Sequence, residues 1–176
     1  PLTARAVNQA RAYGEDNPVL EIVFEGFRNG DTLNVIKPPI VPTISPPIFG
    51  SGGYPILLSG GSETVNYEIT LVNGTLTVGR QTPEITWAVP TPITDGTAIG
   101  PKQLNAEADV EGFFVYSPSG GAILNSGEVT LRVTFDPSND NYAKVDAEVA
   151  LTINKAPLTV TAVDASRAYG EANPEF

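Results

Sequence analysis

The sequence predicts a mainly β chain of small domains placed end to end, and three observations carry that prediction. Apolar and polar residues alternate with period two in one run after another. Turn residues separate the runs: Gly 17 and Pro 16 among 176 residues, both poorly suited to element interiors. The opening of the chain also returns near its end. Period-two alternation places successive side chains on opposite faces of a strand, so that one face of each run can enter a core.

The runs come in order. Residues 2–7 are a first strand candidate, and Leu20, Ile22 and Phe24 alternate with Glu21, Val23 and Glu25 to give another. After Asn29-Gly30, residues 31–36 suggest one short helical turn with Asp31 as its cap. The stretch from Pro38 to Pro47 holds five prolines and reads as an edge strand or an extended loop. Residues 54–58 form a further strand. Tyr67, Ile69 and Leu71 alternate with Glu68 and Thr70, and Asn73-Gly74 separates them from Thr75–Val78. Asn-Gly between two alternating runs predicts a two-residue hairpin turn. Further on, Leu104–Val110 and Phe113–Tyr116 are strand candidates. Val129, Leu131, Val133 and Phe135 share one face of a long strand, as do Ala147, Val149, Leu151 and Ile153. Trp87, the only tryptophan, is assigned to the core.

The repeat is read by direct alignment. Residues 1–20, PLTARAVNQARAYGEDNPVL, match residues 157–176, PLTVTAVDASRAYGEANPEF, at twelve of twenty positions with an offset of 156 and no gap. The unit is therefore 156 residues long, too large for a solenoid turn and suited to whole domains in tandem. It divides at Gly79-Arg80-Gln81-Thr82-Pro83 into residues 1–80, net charge −2, and residues 81–156, net charge −6. Residues 157–176 then begin a second copy. This junction and the one at Asn154-Lys155-Ala156-Pro157 are both short and end in proline, which makes them stiff spacers.

Composition excludes several functions. The chain has no Cys, no Met and no His, and carries 10 Lys+Arg against 20 Asp+Glu, net −10. A Ser-His-Asp triad, a Cys nucleophile, a disulfide and the usual zinc ligand set are all out of reach. The acidic balance argues against nucleic acid as a partner. No apolar run approaches the roughly 18 residues of a membrane-spanning helix, so no membrane insertion is expected in this segment. The chain opens on Pro1, with neither a basic nor an apolar leader, and is expected to be a piece of something longer.

The motifs carry a resemblance. Ala12-Tyr13-Gly14-Glu15 with Asn17-Pro18, Phe24-Glu25-Gly26-Phe27, Asn29-Gly30-Asp31-Thr32, Gly53-Tyr54-Pro55-Ile56, Ser59-Gly60-Gly61, Asn66-Tyr67 and Val72–Val78 resemble, in order, the MBG repeat of the YGX type. The likeness covers nearly all of residues 1–79 and resumes at 157. Ile85-Thr86-Trp87, Gly96-Thr97-Ala98, Gln103–Ala106, Tyr116-Ser117-Pro118, Leu131–Phe135, Asn141-Tyr142 and Leu151–Ala156 resemble a bacterial Ig-like repeat over roughly 84–156, except that Glu107–Glu111 is more acidic than usual. The two resemblances imply a small MBG-like β domain followed by an Ig-like β-sandwich, with no catalytic residues. They also imply an extracellular setting in large secreted, adhesin-like bacterial surface proteins. The partners implied are neighbouring repeats of the same chain.

Candidate sites are few. Glu107, Asp109 and Glu111 share one face of a predicted strand, and three carboxylates there are a conceivable calcium site. Asp136, Ser138 and Asp140 echo the start of a calcium loop, but its glycine position is Asn141 and its final glutamate position is Ala147. The preferred reading is a solvated face for the first group and a turn for the second, so no cofactor is expected. Arg11 and Arg167 are expected to pair with Glu15 and Glu171. Tyr13 and Tyr169 are expected at domain junctions, with stacking on a sugar as the alternative. The two glycine-rich Ser-Gly-Gly stretches lack the Lys-Ser/Thr of a phosphate-binding loop. No pair of carboxylates stands out for glycoside hydrolysis. The chain is thus read as a non-catalytic stalk or spacer. The alternatives are a carbohydrate- or protein-binding module, and a fibre subunit that exchanges strands through residues 157–176. For that segment, packing against the second domain is preferred to exchange.

Overall fold

The computed structural model describes residues 1–62, 64 and 66–175. They form two β units and an extended segment, with no α-helix among the described residues. The first unit contains β1 (Leu2–Ala6), β2 (Gln9–Ala12), β3 (Ile22–Glu25), β4 (Val41–Ile44), β5 (Gly52–Ser59), β6 (Ile69–Val72) and β7 (Gly74–Gly79). They make two sheets, ordered β3-β1-β6 and β2-β7-β5-β4. β1 runs antiparallel to β3 and parallel to β6, while β2 runs parallel to β7. Leu2, Ala4 and Ala6 from one sheet and Ile56, Leu58, Leu76 and Val78 from the other share one core with Ile36 and Ile40.

Two strand pairs change sheet together, and this overturns the expected hairpin. β6 belongs to one sheet and β7 to the other, so Asn73-Gly74 is a crossing point. β1 and β2 cross beside it, at Val7-Asn8. Each crossing interrupts a backbone ladder, and each supplies an asparagine carbonyl in its place. Asn73 Oδ1 accepts from the Leu58 N–H at 3.1 Å, and Asn8 Oδ1 accepts from the Thr75 N–H at 2.8 Å. Gly74 is required by proximity: a Cβ there would lie 2.8 Å from the Ala6 carbonyl oxygen. Its backbone is not among those with positive φ, whereas the expected turn would need one.

The predicted helical turn is a 3-10 turn at Leu33–Val35, preceded by Thr32, with no side-chain cap. Asp31 does not cap it, because its carboxylate accepts the Tyr67 hydroxyl at 2.8 Å. Among the influences on that phenol, the Arg28 backbone hydrogen bond acts to lower its pKa; desolvation and the Asp31 carboxylate outweigh it, and the group sits above its ordinary 10.0. Folding therefore favours the neutral phenol. Its stabilising contribution is complete below about pH 10 and lost as the pH rises further. The gap in melting temperature between wild type and Tyr67→Phe is expected to narrow above that pH.

The proline-rich stretch supplies β4, an edge strand, as its missing N–H groups require.

The second unit contains β8 (Ile85–Thr86), β9 (Ile93–Thr94), β10 (Glu107–Ala108), β11 (Gly112–Ser117), β12 (Gly127–Pro137) and β13 (Val145–Asn154). The main sheet is ordered β11-β12-β13-β9, and β8 pairs with β10 separately. Leu131, Val133 and Phe135 from β12 and Val149, Leu151 and Ile153 from β13 are buried, as the period-two pattern requires. Trp87 packs on this core, donates from its indole N–H to the Gln103 carbonyl at 3.0 Å and meets the Tyr116 ring edge-on at 5.5 Å. The strand expected over Leu104–Val110 shrinks to β10. Gln103 accepts the Gly100 N–H through its carboxamide at 3.1 Å, which folds the start of that stretch into a turn.

Residues 157–175 are exposed throughout and form no strand. The expected packing against the second unit is not found among them; the last strand of that unit, β13, is flanked by β12 and β9.

Candidate functional site

The place where the chain brings separated residues together is the contact between the two units. On the first unit, the Tyr54 hydroxyl accepts the Gly50 N–H at 3.0 Å and donates to the Gly50 carbonyl at 2.8 Å. This shapes the loop that presents the Ser51 N–H. Beside it, the Ala12–Glu15 turn is closed by the Glu15 carboxylate, which accepts the Ala12 N–H at 2.7 Å. Arg11 donates to Asn17 Oδ1 at 2.7 Å and to the Ala12 carbonyl at 2.8 Å. Arg11 and Glu15 therefore serve one turn without forming the expected ion pair, since each already has a nearer partner. Gly14 holds φ at 86°, a left-handed conformation natural to glycine.

On the second unit, residues 139–142 form a tight turn. Asn139 Oδ1 accepts the Asn141 N–H and the Asn139 carbonyl accepts the Tyr142 N–H, both at 3.0 Å. The turn projects Asn141 and Tyr142 toward the first unit. Asn141 Oδ1 accepts the Ser51 N–H at 2.6 Å. The Tyr142 ring meets the Tyr13 ring edge-on, with centroids 5.7 Å apart at 78°. The linker joins in: the Gln81 N–H donates to the Asn141 carbonyl at 2.9 Å, and the Ala143 N–H to the Gln81 carbonyl at 2.8 Å. Loop, linker and turn are thus cross-connected through Asn141 and its neighbours. Residues 2–77 match the family model of the MBG domain (YGX type). No curated protein matches the chain.

The tyrosine-glycine turn of the matched region is therefore a part that touches the next unit. Sequence reasoning singled out Tyr13 but missed Tyr142, Asn141 and Ser51. The signal present was Asn139-Asp-Asn-Tyr142 after a long strand, a turn sequence, yet nothing in it indicates which surface the turn meets.

The remaining candidates do not converge. Glu107, Asp109 and Glu111 are exposed, and the strand expected to align them covers only Glu107–Ala108. Asp109 Oδ1 instead accepts the Glu84 N–H at 2.9 Å. Asp136 pairs with the Lys144 ammonium at 2.6 Å, and Asp140 sits exposed in the turn. Among the described residues no group of three carboxylates is placed to hold a metal ion. Tyr169 is exposed and meets no other aromatic ring among the described residues. Arg167 donates to the Glu171 carbonyl oxygen at 2.9 Å rather than to its carboxylate.

Proposed function

We propose that the chain is a non-catalytic stalk or spacer segment of a large extracellular bacterial surface protein, in which an MBG domain and an Ig-like β-sandwich alternate. The observation that carries this reading is the junction. A spacer must transmit orientation from one domain to the next, and a bare linker does not. Here the linker residue Gln81 is hydrogen-bonded into the second unit, and Asn141 and Tyr142 engage the MBG domain on either side of it. The family match over residues 2–77 supports a repeat module. The net charge of −10 supports an array that repels its neighbours and stays dissolved.

A binding-module reading has less to rest on. A sugar-stacking platform needs an uncovered aromatic face, whereas Tyr13 is covered by Tyr142 and Trp87 is held by Gln103 and Tyr116.

The double variant Asn141→Ala, Tyr142→Ala tests the proposal. It removes one hydrogen bond of about 1 kcal/mol and one aromatic pair of about 1 kcal/mol. Both units are expected to stay folded while small-angle scattering shows a wider spread of interdomain distances. An unchanged scattering profile would remove the junction as the basis of stiffness, and with it the argument for a spacer.

A further inference from the structure

We propose that Asn29 is a site of self-modification, where the Gly30 backbone nitrogen and then water convert the asparagine to aspartate or isoaspartate, and that the Tyr67 hydroxyl guards it by holding the turn closed. This goes beyond the spacer reading and does not rest on it.

The reaction needs only the chain and water. The Gly30 nitrogen attacks Asn29 Cγ, a new N–C bond forms, and the bond from Cγ to Nδ2 breaks. Nδ2 leaves as ammonia and carries away the proton that the Gly30 nitrogen gives up. Water then opens the five-membered succinimide at either of its carbonyl carbons. One opening leaves aspartate; the other leaves isoaspartate, with the main chain running through the former side chain. Glycine in the second position favours the attack, because no Cβ shields the nitrogen and the backbone turns freely.

The chain holds two Asn-Gly pairs, Asn29-Gly30 and Asn73-Gly74, and the fold treats them differently. Asn73 Oδ1 is held by the Leu58 N–H at 3.1 Å. Gly74 is buried at the start of β7, so close to Ala6 that a Cβ would lie 2.8 Å from its carbonyl oxygen. The carboxamide and the nitrogen that would attack it are both fixed. Asn29 and Gly30 are instead exposed, and nothing lies within 4 Å of the Cβ position at Gly30.

What restrains Asn29 is its turn. Asn29 and Gly30 hold φ at 55° and 78°, and the Asp31 N–H donates to the Arg28 carbonyl at 3.0 Å, a turn of type I′. The central peptide is fixed in that turn, whereas attack requires it to rotate toward the carboxamide carbon, so the turn must first open. Tyr67 latches both of its ends. The hydroxyl accepts the Arg28 N–H at 2.9 Å and donates to Asp31 Oδ2 at 2.8 Å. The Phe27 ring meets the phenol edge-on at 6.0 Å and steadies it.

The product also acts on the latch. Isoaspartate adds a methylene to the main chain inside the turn, so the Arg28 carbonyl and the Asp31 N–H lose their register. The new carboxylate stands two residues from that of Asp31. Tyr67, which lies just before β6 (Ile69–Val72), then loses its partners, and the modification loosens the first unit irreversibly.

Peptide mapping by mass spectrometry tests this on the whole chain, aged in mildly alkaline buffer with and without denaturant. In denaturant the two Asn-Gly pairs are expected to react alike. In the folded chain Asn29 is expected to react at least about tenfold more slowly than in denaturant, given the bonds that hold its turn, and Asn73 more slowly still. Tyr67→Phe keeps the ring but removes the latch. It is expected to accelerate Asn29 roughly tenfold, the factor that matches a lost hydrogen bond to a charged group, and to leave Asn73 unchanged. Asn73 thereby separates opening of the turn from unfolding of the unit. Equal folded-state rates at the two sites, a folded-state Asn29 as fast as in denaturant, or a Tyr67→Phe variant that leaves Asn29 unchanged or accelerates both sites together would overturn the proposal.

Discussion

Leu131→Ala is expected to unfold the second unit and leave the first unit standing. Leu131 is 0% exposed and sits among Ile99, Val149, Leu151 and Ile153. Its truncation removes the transfer free energy of a buried side chain and leaves a cavity, together about 2–5 kcal/mol. A domain of this size has a modest core, and total stabilities run from about 5 to 15 kcal/mol. The loss therefore takes much or all of what holds the unit together. Trp87 is the only tryptophan and packs on this core, so indole fluorescence follows the second unit alone. Calorimetry is expected to show two transitions, with one moved strongly downward and the other nearly in place. A single transition that shifts as a whole would mean that the units fold as one block, and the description of separate modules would fall.

Gly74→Val is expected to cost about 3 kcal/mol, the upper part of the overpacking range, and to act on the first unit only. The added Cβ would meet the Ala6 carbonyl oxygen at 2.8 Å and the Ala6 carbonyl carbon at 3.2 Å. These are backbone atoms of a buried strand end and have little room to yield. The companion change Asn73→Leu keeps the branching at Cγ but removes the acceptor for the Leu58 N–H, whose residue is 8% exposed. An orphaned donor of that kind costs about 1–3 kcal/mol. Chemical denaturation of both variants, followed by far-ultraviolet circular dichroism, measures the losses. If Asn73-Gly74 were an exposed hairpin turn, Asn73→Leu would leave no buried donor unpaired, so a neutral result there would contradict the sheet crossing.

The two variants also mark where local reading of the sequence succeeds and where it stops. On β12 and β13 the alternation of large apolar residues continues for most of the strand, and the buried set follows it residue by residue. At Asn73-Gly74 the local pattern is just as regular, yet the chain passes between sheets. Period-two alternation records which side chains face a core and says nothing about which strand lies alongside. Leu104–Val110 failed in a different way. Its residues suit a strand, but Gln103 offers its carboxamide to the Gly100 N–H, and a local side-chain bond of this kind competes with a ladder. The carboxylates Glu107, Asp109 and Glu111 were grouped on the strength of that strand and separate without it.

What the sequence by itself determined is what depends on near neighbours. The strand faces of the second unit follow from alternation. The edge position of β4 follows from Pro42 and the prolines that flank the strand. The tyrosine-glycine turn has the same glycine geometry in both copies, once against a partner at Tyr13 and once exposed at Tyr169. Only the tertiary structure decided the partners of those elements: β1 beside β6, β2 beside β7, and Asn141 and Tyr142 against Ser51 and Tyr13. Those contacts join residues far apart along the chain. Their identity depends on how whole sheets are placed, a quantity that no local spacing of residue types encodes.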